Sequence, residues 1–413
     1  MSELRSRSRG SSPERTGIIR HGRLKKSGPV RVVLAFIASA LAVLLVSGAA
    51  VAAIAFNSVY GDREVIELPD STDGPLPQVG AIEGGFNILI VGSDRCEDEA
   101  CLEGERGSSE LNDVNMLLHV SQDQTNATAI SFPRDLVVPI PECVGDDGET
   151  KVRSTEALNT AMFYGGLPCV AMTISELTGL PIQFAGVITF QGVIAMSDAI
   201  GGVDVCFNAP VYDEYTGLNI PTAGVHNLKG EFALQFLRSR HGIGDQSDLT
   251  RISSQQVYLS SLVRTLKSGE TLGDTKKLYD LAKAAFNNME LSSSLADIPT
   301  MVSIALALKD VPLERVTFVQ YPGSTGGSGI YAGKVQPMTE TAEALMEVLR
   351  ADQPFLLEAA GDGRGSELDP NAPAPAPDPN ATEEPVDDST VVTVPGLSGQ
   401  RAIDPTCAIA FED

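Results

Sequence analysis

Between Leu228 and Gln256 the chain reads LKGEFALQFLRSRHGIGDQSDLTRISSQQ, which sets Arg238, Arg240 and Arg251 around a turn containing Gly242 and Gly244. Arginine forks match phosphate oxygens two at a time and stay charged at any working pH, so guanidiniums converging on one volume suit a pyrophosphate. Convergence has a structural condition. Phe232, Ala233, Phe236 and Leu237 recur at helical spacing and predict a helix with one buried face. Arg238 and Arg240, two positions apart, share a face only in extended chain, so that helix must unwind near Arg238. Beyond the glycines Asp248, Arg251 and Gln255 fall at i, i+3 and i+7 on one face of a second helix. Ile252, Leu259, Val263 and Leu266 stripe the side expected to be buried. Asp248 has two roles open to it, N-cap of the second helix or acceptor of a proton in a transfer step. Spacing alone also leaves open that the arginines are solvated, or paired with some of the 54 acidic residues.

A second set of polar residues sits at strand ends. Phe86–Val91 (FNILIV) predicts a buried strand that delivers Asp94 at its end. Asp113 precedes a second strand, Met116–Val120, and Thr128–Phe132 forms a third, closed by Pro133-Arg134-Asp135. Such aspartates ordinarily cap turns. Two together can also hold magnesium, which takes one or two carboxylates along with phosphate and water. Helices are then expected over Val170–Thr178, Val193–Ile200, Arg251–Lys267, Thr275–Met289, Leu295–Ala307 and Thr339–Arg350. Strands over Gln183–Phe190, Val203–Phe207 and Val316–Tyr321 interleave with them, which makes the domain α/β. The wide apolar faces of the helices are ordinarily explained by core packing. A lipid tunnel would require facing apolar surfaces to stand apart.

The net charge of −24 is unevenly spread. Residues 1–31 carry nine Lys or Arg against Glu3 and Glu14, which leaves the remainder at about −31. Residues 32–56 hold no charge, a length that spans a bilayer core of roughly 30 Å as one helix. The basic flank sets the orientation, with the N-terminus cytoplasmic and the bulk exported, so the expected location is the cell membrane. The apolar run is longer than the core of a cleaved signal peptide, which favours a retained anchor. Residues 57–83 read as a linker, 84–352 as the folded domain, and 353–413, with PNAPAPAPDPN, as an acidic disordered tail. An acidic exported domain excludes nucleic acid as a partner. All six cysteines lie beyond the apolar run, and an even number in an exported domain favours disulfides. The pairing expected is Cys96 with Cys101 and Cys143 with Cys169, as near neighbours, and Cys206 with Cys407 as a staple for the tail. No CxxC pair and scattered histidines exclude a zinc site.

LRSRH followed by DLTRISSQQ resembles the signature of the LytR-CpsA-Psr family, envelope phosphotransferases that move glycopolymers from polyprenyl-pyrophosphate carriers onto peptidoglycan. GSD after the first strand, an Asp before the second and PRD after the third fit the same pattern, as do Asn159, Tyr164, Gly165 and Gly166 in ALNTAMFYGG. The resemblance implies a mixed central β-sheet flanked by helices in three layers. It further implies magnesium on Asp94 and Asp113, phosphates clamped by Arg134, Arg238, Arg240 and Arg251, and substrate contacts from Gln255 and Asn159. Two positions depart from the pattern. Leu111 and Ala157 stand where the family has Arg and Lys, with Arg95 or Arg106, and Lys151 or Arg153, as candidate replacements. A pyrophosphatase using water in the same pocket, and a non-catalytic polyprenyl-phosphate-binding protein, remain the alternative functions.

Overall fold

The structure, a computed structural model, describes residues 65–69, 84–93, 111–145, 148–268, 274–370, 372 and 391–411. The expected membrane span lies outside these residues. Among the described residues no helix is long and apolar enough to cross a membrane.

The chain opens with β1 (Phe86–Ser93), β2 (Asn112–Val120) and β3 (Ala127–Phe132), then α1 (Thr160–Thr178), β4 (Phe184–Ile188) and α2 (Phe190–Ile200). β5 (Val203–Phe207) and β6 (Gly224–Leu228) lead into α3 (Glu231–Arg238), α4 (Asp248–Lys267) and α5 (Thr275–Asn288). β7 (Met289–Leu291), α6 (Ile298–Asp310), β8 (Val316–Gln320) and α7 (Thr339–Arg350) follow. β9 (Ser366–Leu368), β10 (Gly399–Arg401) and β11 (Thr406–Ala408) complete the two main sheets.

The central sheet has seven strands in the order β7-β4-β1-β2-β3-β8-β10. β1 pairs in parallel with β4, and β3 with β8, while the other neighbours are antiparallel, so the sheet is mixed. Side chains alternate across a strand. Leu89, Val91, Leu117, Ile130 and Val319 therefore pack on one face against Val170 and Ile174 of α1 and Leu345 and Met346 of α7. Each such side chain, fully buried, contributes ~1.5–3 kcal/mol. Ile88, Ile90, Val114 and Met116 point the other way, toward a cavity that α2 to α6 help to wall.

Local chemistry sets the helix ends. Thr189 caps α2 by accepting from the Gly192 N–H, and Asp297 caps α6 by accepting from the Thr300 N–H at 2.8 Å. α1 starts earlier than the proline suggested, because it runs through a kink at Gly165 and Gly166. A Cβ on Gly165 would lie 2.9 Å from the Val144 carbonyl oxygen and 3.1 Å from Cys143 and Cys169, so glycine is what lets the Cys143–Cys169 disulfide close beneath it.

Two expectations are corrected. Of the expected α4 stripe Ile252 is buried, but Leu259 and Leu266 line the cavity together with Leu262, and the residues buried along the helix include Ser253, Ser254, Gln256, Ser260 and Ser261 beside Val257 and Tyr258. What buries them is the segment expected to be disordered. β10 adds an edge to the central sheet against β8, and β11 lies between β5 and β9 in a second sheet ordered β6-β5-β11-β9. Gln400 donates from Nε2 to the Gln256 carbonyl at 2.7 Å and to Ser260 Oγ at 2.8 Å, and Ser253 and Ser366 hydroxyls meet at 2.6 Å. Arg264 donates to the Ala402 and Asp404 carbonyls at 2.7 and 3.2 Å. Cys407 stands opposite Cys206 on the paired strands and is bonded to it. Backbone pairing, buried hydrogen bonds and a cross-link order the described residues of the tail, 353–370 and 391–411, whose low apolar content misleads because they do not fold alone; PNAPAPAPDPN lies almost wholly outside the described residues. Cys96 and Cys101 lie outside the described residues.

Candidate active site: an arginine cluster on an apolar cavity

α3 ends at Arg238, and Ser239 is extended (φ −61°, ψ 134°), so Arg238 and Arg240 both reach the cavity lining as the spacing required. A buried carboxylate holds the turn open. Asp213 Oδ2 accepts from Ser239 Oγ at 2.7 Å and from the backbone N–H groups of Arg240, His241 and Gly242 at 3.0, 3.0 and 3.3 Å. Burial pushes the Asp213 carboxyl up, but these donors outweigh it and hold it below its ordinary value. Sequence reading missed Asp213, whose only signal is a turn ending at Gly217. The tail braces the other side: the Gly244 N–H donates to the Ile409 carbonyl at 2.9 Å and the Phe411 N–H to the Gly242 carbonyl at 3.0 Å. Gly244 has φ +45°, and a Cβ there would fall 2.2 Å from the Arg364 carbonyl oxygen, so no other residue fits the turn undistorted.

Ser247, not Asp248, is the N-cap of α4, its Oγ accepting from the Thr250 N–H at 3.2 Å. Asp248 is thereby left to face the arginines. Its Oδ1 lies 2.7 Å from Arg251, 3.3 Å from Arg240 and 3.9 Å from Arg134. Asp113 Oδ1 accepts from Arg134 at 2.7 Å, and the Asp113 carbonyl accepts from Arg251 at 3.0 Å. Burial lowers the Arg134 guanidinium, yet Asp113, Asp135 and Asp248 together raise it above its ordinary value. Arg251 is shifted downward, chiefly by burial and then by the like charges of Arg240 and Arg134 against the pull of Asp248. Arg238 differs from all three. It is exposed, its guanidinium lies 4.2 Å from the Phe190 ring centroid, and among the described residues it has no ion pair.

Gln255 donates to the Leu237 carbonyl at 2.8 Å and ties α4 to the end of α3. Asn159 is the exception among the expected substrate contacts. Its side chain is not on the cavity lining, and its backbone N–H donates to the Arg134 carbonyl at 2.9 Å, which fixes the Arg134 loop. Asn112, also unforeseen, is fully buried behind the site and bonds Asn115 at 2.6 Å and the Leu158 carbonyl at 3.3 Å.

Arg134, Arg238, Arg240, Arg251, Asp113 and Gln255 share one cavity of about 1040 Å³ with a long apolar wall that includes Leu234, Leu262, Leu278, Leu291 and Ile304. Arg238, Tyr215 and His241 are exposed, so the charged end is the end open to solvent. Such a space fits an amphiphile with an anionic head and a long apolar chain. Asp113 also fits a hard divalent ion. Its carboxylate spends one oxygen on Arg134, has no partner for the other among the described residues, and is 31% exposed on the lining. The second expected ligand, Asp94, lies outside the described residues. Among those residues the one cluster with metal-binding spacing is Cys206, Asp369 and Cys407, whose sulfurs are already bonded to each other.

Residues 58–348 match the LytR_cpsA_psr family. The chain belongs to that family. The cell wall biosynthesis protein LcpA of Corynebacterium glutamicum is 29% identical over 286 residues, 62% of this chain and 53% of the relative. This chain therefore spans about half the length of that relative. The polyisoprenyl-teichoic acid–peptidoglycan teichoic acid transferase TagT of Bacillus subtilis is 24% identical over 341 residues, covering 80% of this chain and 98% of TagT. Among solved structures, protein gbs0355 of Streptococcus agalactiae shares the fold with a TM-score of 0.51 at 21% identity, over 65% of this chain and 88% of that one. The two departures from the family pattern find no substitute among the described residues. Leu111 lines the cavity, while Arg153 pairs with Glu176 at 2.9 Å on the surface, and neither it nor Lys151 is on the lining. Arg95 and Arg106 lie outside the described residues.

Proposed function

We propose that this chain transfers a glycopolymer phosphate from a polyprenyl-pyrophosphate carrier to a hydroxyl of peptidoglycan, forming a phosphodiester during cell-wall assembly. The observation that carries the reading is the junction of four arginines with an apolar cavity of about 1040 Å³. The polyprenyl chain occupies the apolar part and the pyrophosphate the guanidinium end. The name of the Bacillus subtilis relative, which pairs a polyisoprenyl-linked polymer with peptidoglycan, supports the same assignment. The acceptor oxygen attacks the phosphorus that bears the glycan, and the bond from that phosphorus to the bridging oxygen breaks. Polyprenyl monophosphate leaves with the electron pair, and the hydroxyl proton passes to solvent at the open end.

Phosphoryl transfer is mainly positioning and charge stabilisation. Arg238, which has no carboxylate partner among the described residues, takes a phosphate oxygen without first giving one up. Arg134, Arg240 and Arg251 are held in place by Asp113 and Asp248. Asp248, whose Oδ1 is engaged by Arg251 and Arg240, is assigned to orienting these arginines rather than to accepting the proton. Asp113 with Asp94 would hold magnesium, which supplies further positive charge to the phosphate oxygens. Residues 32–56 anchor the chain in the cell membrane, with residues 1–31 cytoplasmic and the transferase domain outside.

The test supplies polyprenyl-pyrophosphate-linked glycan and peptidoglycan and follows both products. Transfer gives a phosphodiester between the two together with polyprenyl monophosphate. Glycan phosphate released at the same rate without acceptor would make water the acceptor and the protein a pyrophosphatase, and binding without product would leave a binding protein. Arg238→Ala is expected to raise the barrier by roughly 2–4 kcal/mol, as loss of one oxyanion donor does. Arg238→Lys rescues poorly because it keeps the charge and loses the fork.

A further inference from the structure

We infer that Tyr215 and His241 form a stacking platform for a pyranose ring at the open end of the cavity, an inference that rests on the phosphotransferase reading. Their rings lie 4.2 Å apart between centroids at 36°, and Tyr215 is 70% exposed. An exposed aromatic residue is ordinary by itself. Three further observations set this pair apart. Both residues border the same cavity as the arginines. His241 follows Arg240 directly, so the ring and the guanidinium leave one short turn together. Asp213 holds both sides of the pair, its Oδ1 accepting from the Tyr215 N–H at 3.0 Å and its Oδ2 from the His241 N–H at 3.0 Å.

One buried carboxylate thus fixes the distance from the aromatic pair to the phosphate clamp. A phosphate held by Arg238 and Arg240 with its lipid in the cavity must send its sugar out through the open end, where Tyr215, Thr216 and His241 stand. A pyranose presents an apolar C–H face, and an aromatic face carries the partial negative charge that attracts it. The same chemistry would receive either the first ring of the donor glycan or a ring of the acceptor. Tyr212 supplies an internal control: it is 69% exposed on the same stretch of chain and is not on the cavity lining.

The experiment compares full-length protein and its Tyr215→Ala, Tyr215→Phe and Tyr212→Ala variants. Affinity is measured for polyprenyl pyrophosphate carrying one N-acetylhexosamine and for the same lipid without sugar, and KM for a peptidoglycan acceptor. Tyr215→Ala should bind the sugar-bearing lipid roughly tenfold more weakly, with the sugar-free lipid unchanged and Tyr215→Phe and Tyr212→Ala like wild type. A rise of similar size confined to the acceptor KM would place the acceptor's ring on the platform instead. Unchanged values for both, or equal weakening of sugar-bearing and sugar-free lipid, would overturn the platform. Failure of the wild-type protein to bind the sugar-free pyrophosphate would remove the phosphotransferase reading, and the platform with it.

Discussion

On one face of the central sheet Leu89, Val91, Leu117 and Ile130 are closed over by α1 and α7 and lose all contact with solvent. On the other face Ile88, Ile90, Val114 and Met116 border a cavity of about 1040 Å³. Both sets are apolar and β1 and β2 contribute to each, so hydrophobicity does not distinguish packing from a cavity. The difference lies in what fastens the helices. α1 and α7 are pressed onto the strands by their own apolar faces. α4 is instead held from its outer side, where Gln400, Arg264 and Ser253 bond it to the C-terminal segment, and Leu259, Leu262 and Leu266 are left facing open space.

Substitution on the two faces breaks the comparison directly. Leu89→Ala should lower stability by about 2–5 kcal/mol in denaturant titration, because a closed core cannot refill the volume. Gln400→Ala should cost about 1–3 kcal/mol by leaving the Gln256 carbonyl and Ser260 hydroxyl with a lost partner, and should lower lipid retention as α4 loosens. Ile90→Ala, one residue from Leu89 but on the cavity side, should cost only about 1 kcal/mol since it adds to existing space. Equal losses for Leu89→Ala and Ile90→Ala would mean that both faces are packed alike.

The smallest effect expected is a pH dependence from the packed face. His119 donates from Nδ1 to Asn87 Oδ1 at 2.8 Å, and its Nε2 lies 3.3 Å from Asp352 after α7. Burial pulls its imidazole below the ordinary value of 6.5, against the opposing pull of Asp352. A histidine so depressed binds its proton more readily unfolded than folded, so stability is full above pH 6.5 and falls as the pH drops below it toward the folded-state value. His119→Gln should flatten that part of the stability profile.

The strands around FNILIV and the helix Thr339–Arg350 were legible because hydrophobic period is local. The arginine turn was legible for the same reason, since Arg238 and Arg240 share a face only if α3 stops between them. What could not be read is non-local. Asp213 acts through backbone groups 27 to 29 residues further on. The tail looked unable to fold because its order comes from partners on β5, β8 and α4, and β1 is apolar on both faces, so its sequence cannot say which one is closed.

The central claim is that the cavity holds a polyprenyl chain whose phosphates meet Arg238, Arg240 and Arg251. Mass spectrometry of lipid retained by the full-length protein, extracted from cells in mild detergent, tests it most directly. The account predicts a polyprenyl chain ending in phosphate or pyrophosphate, retained by the wild-type protein and lost from an Arg238→Ala, Arg240→Ala double variant that keeps its fold. Wild-type protein that carries no lipid, or only lipids without phosphate, would contradict it.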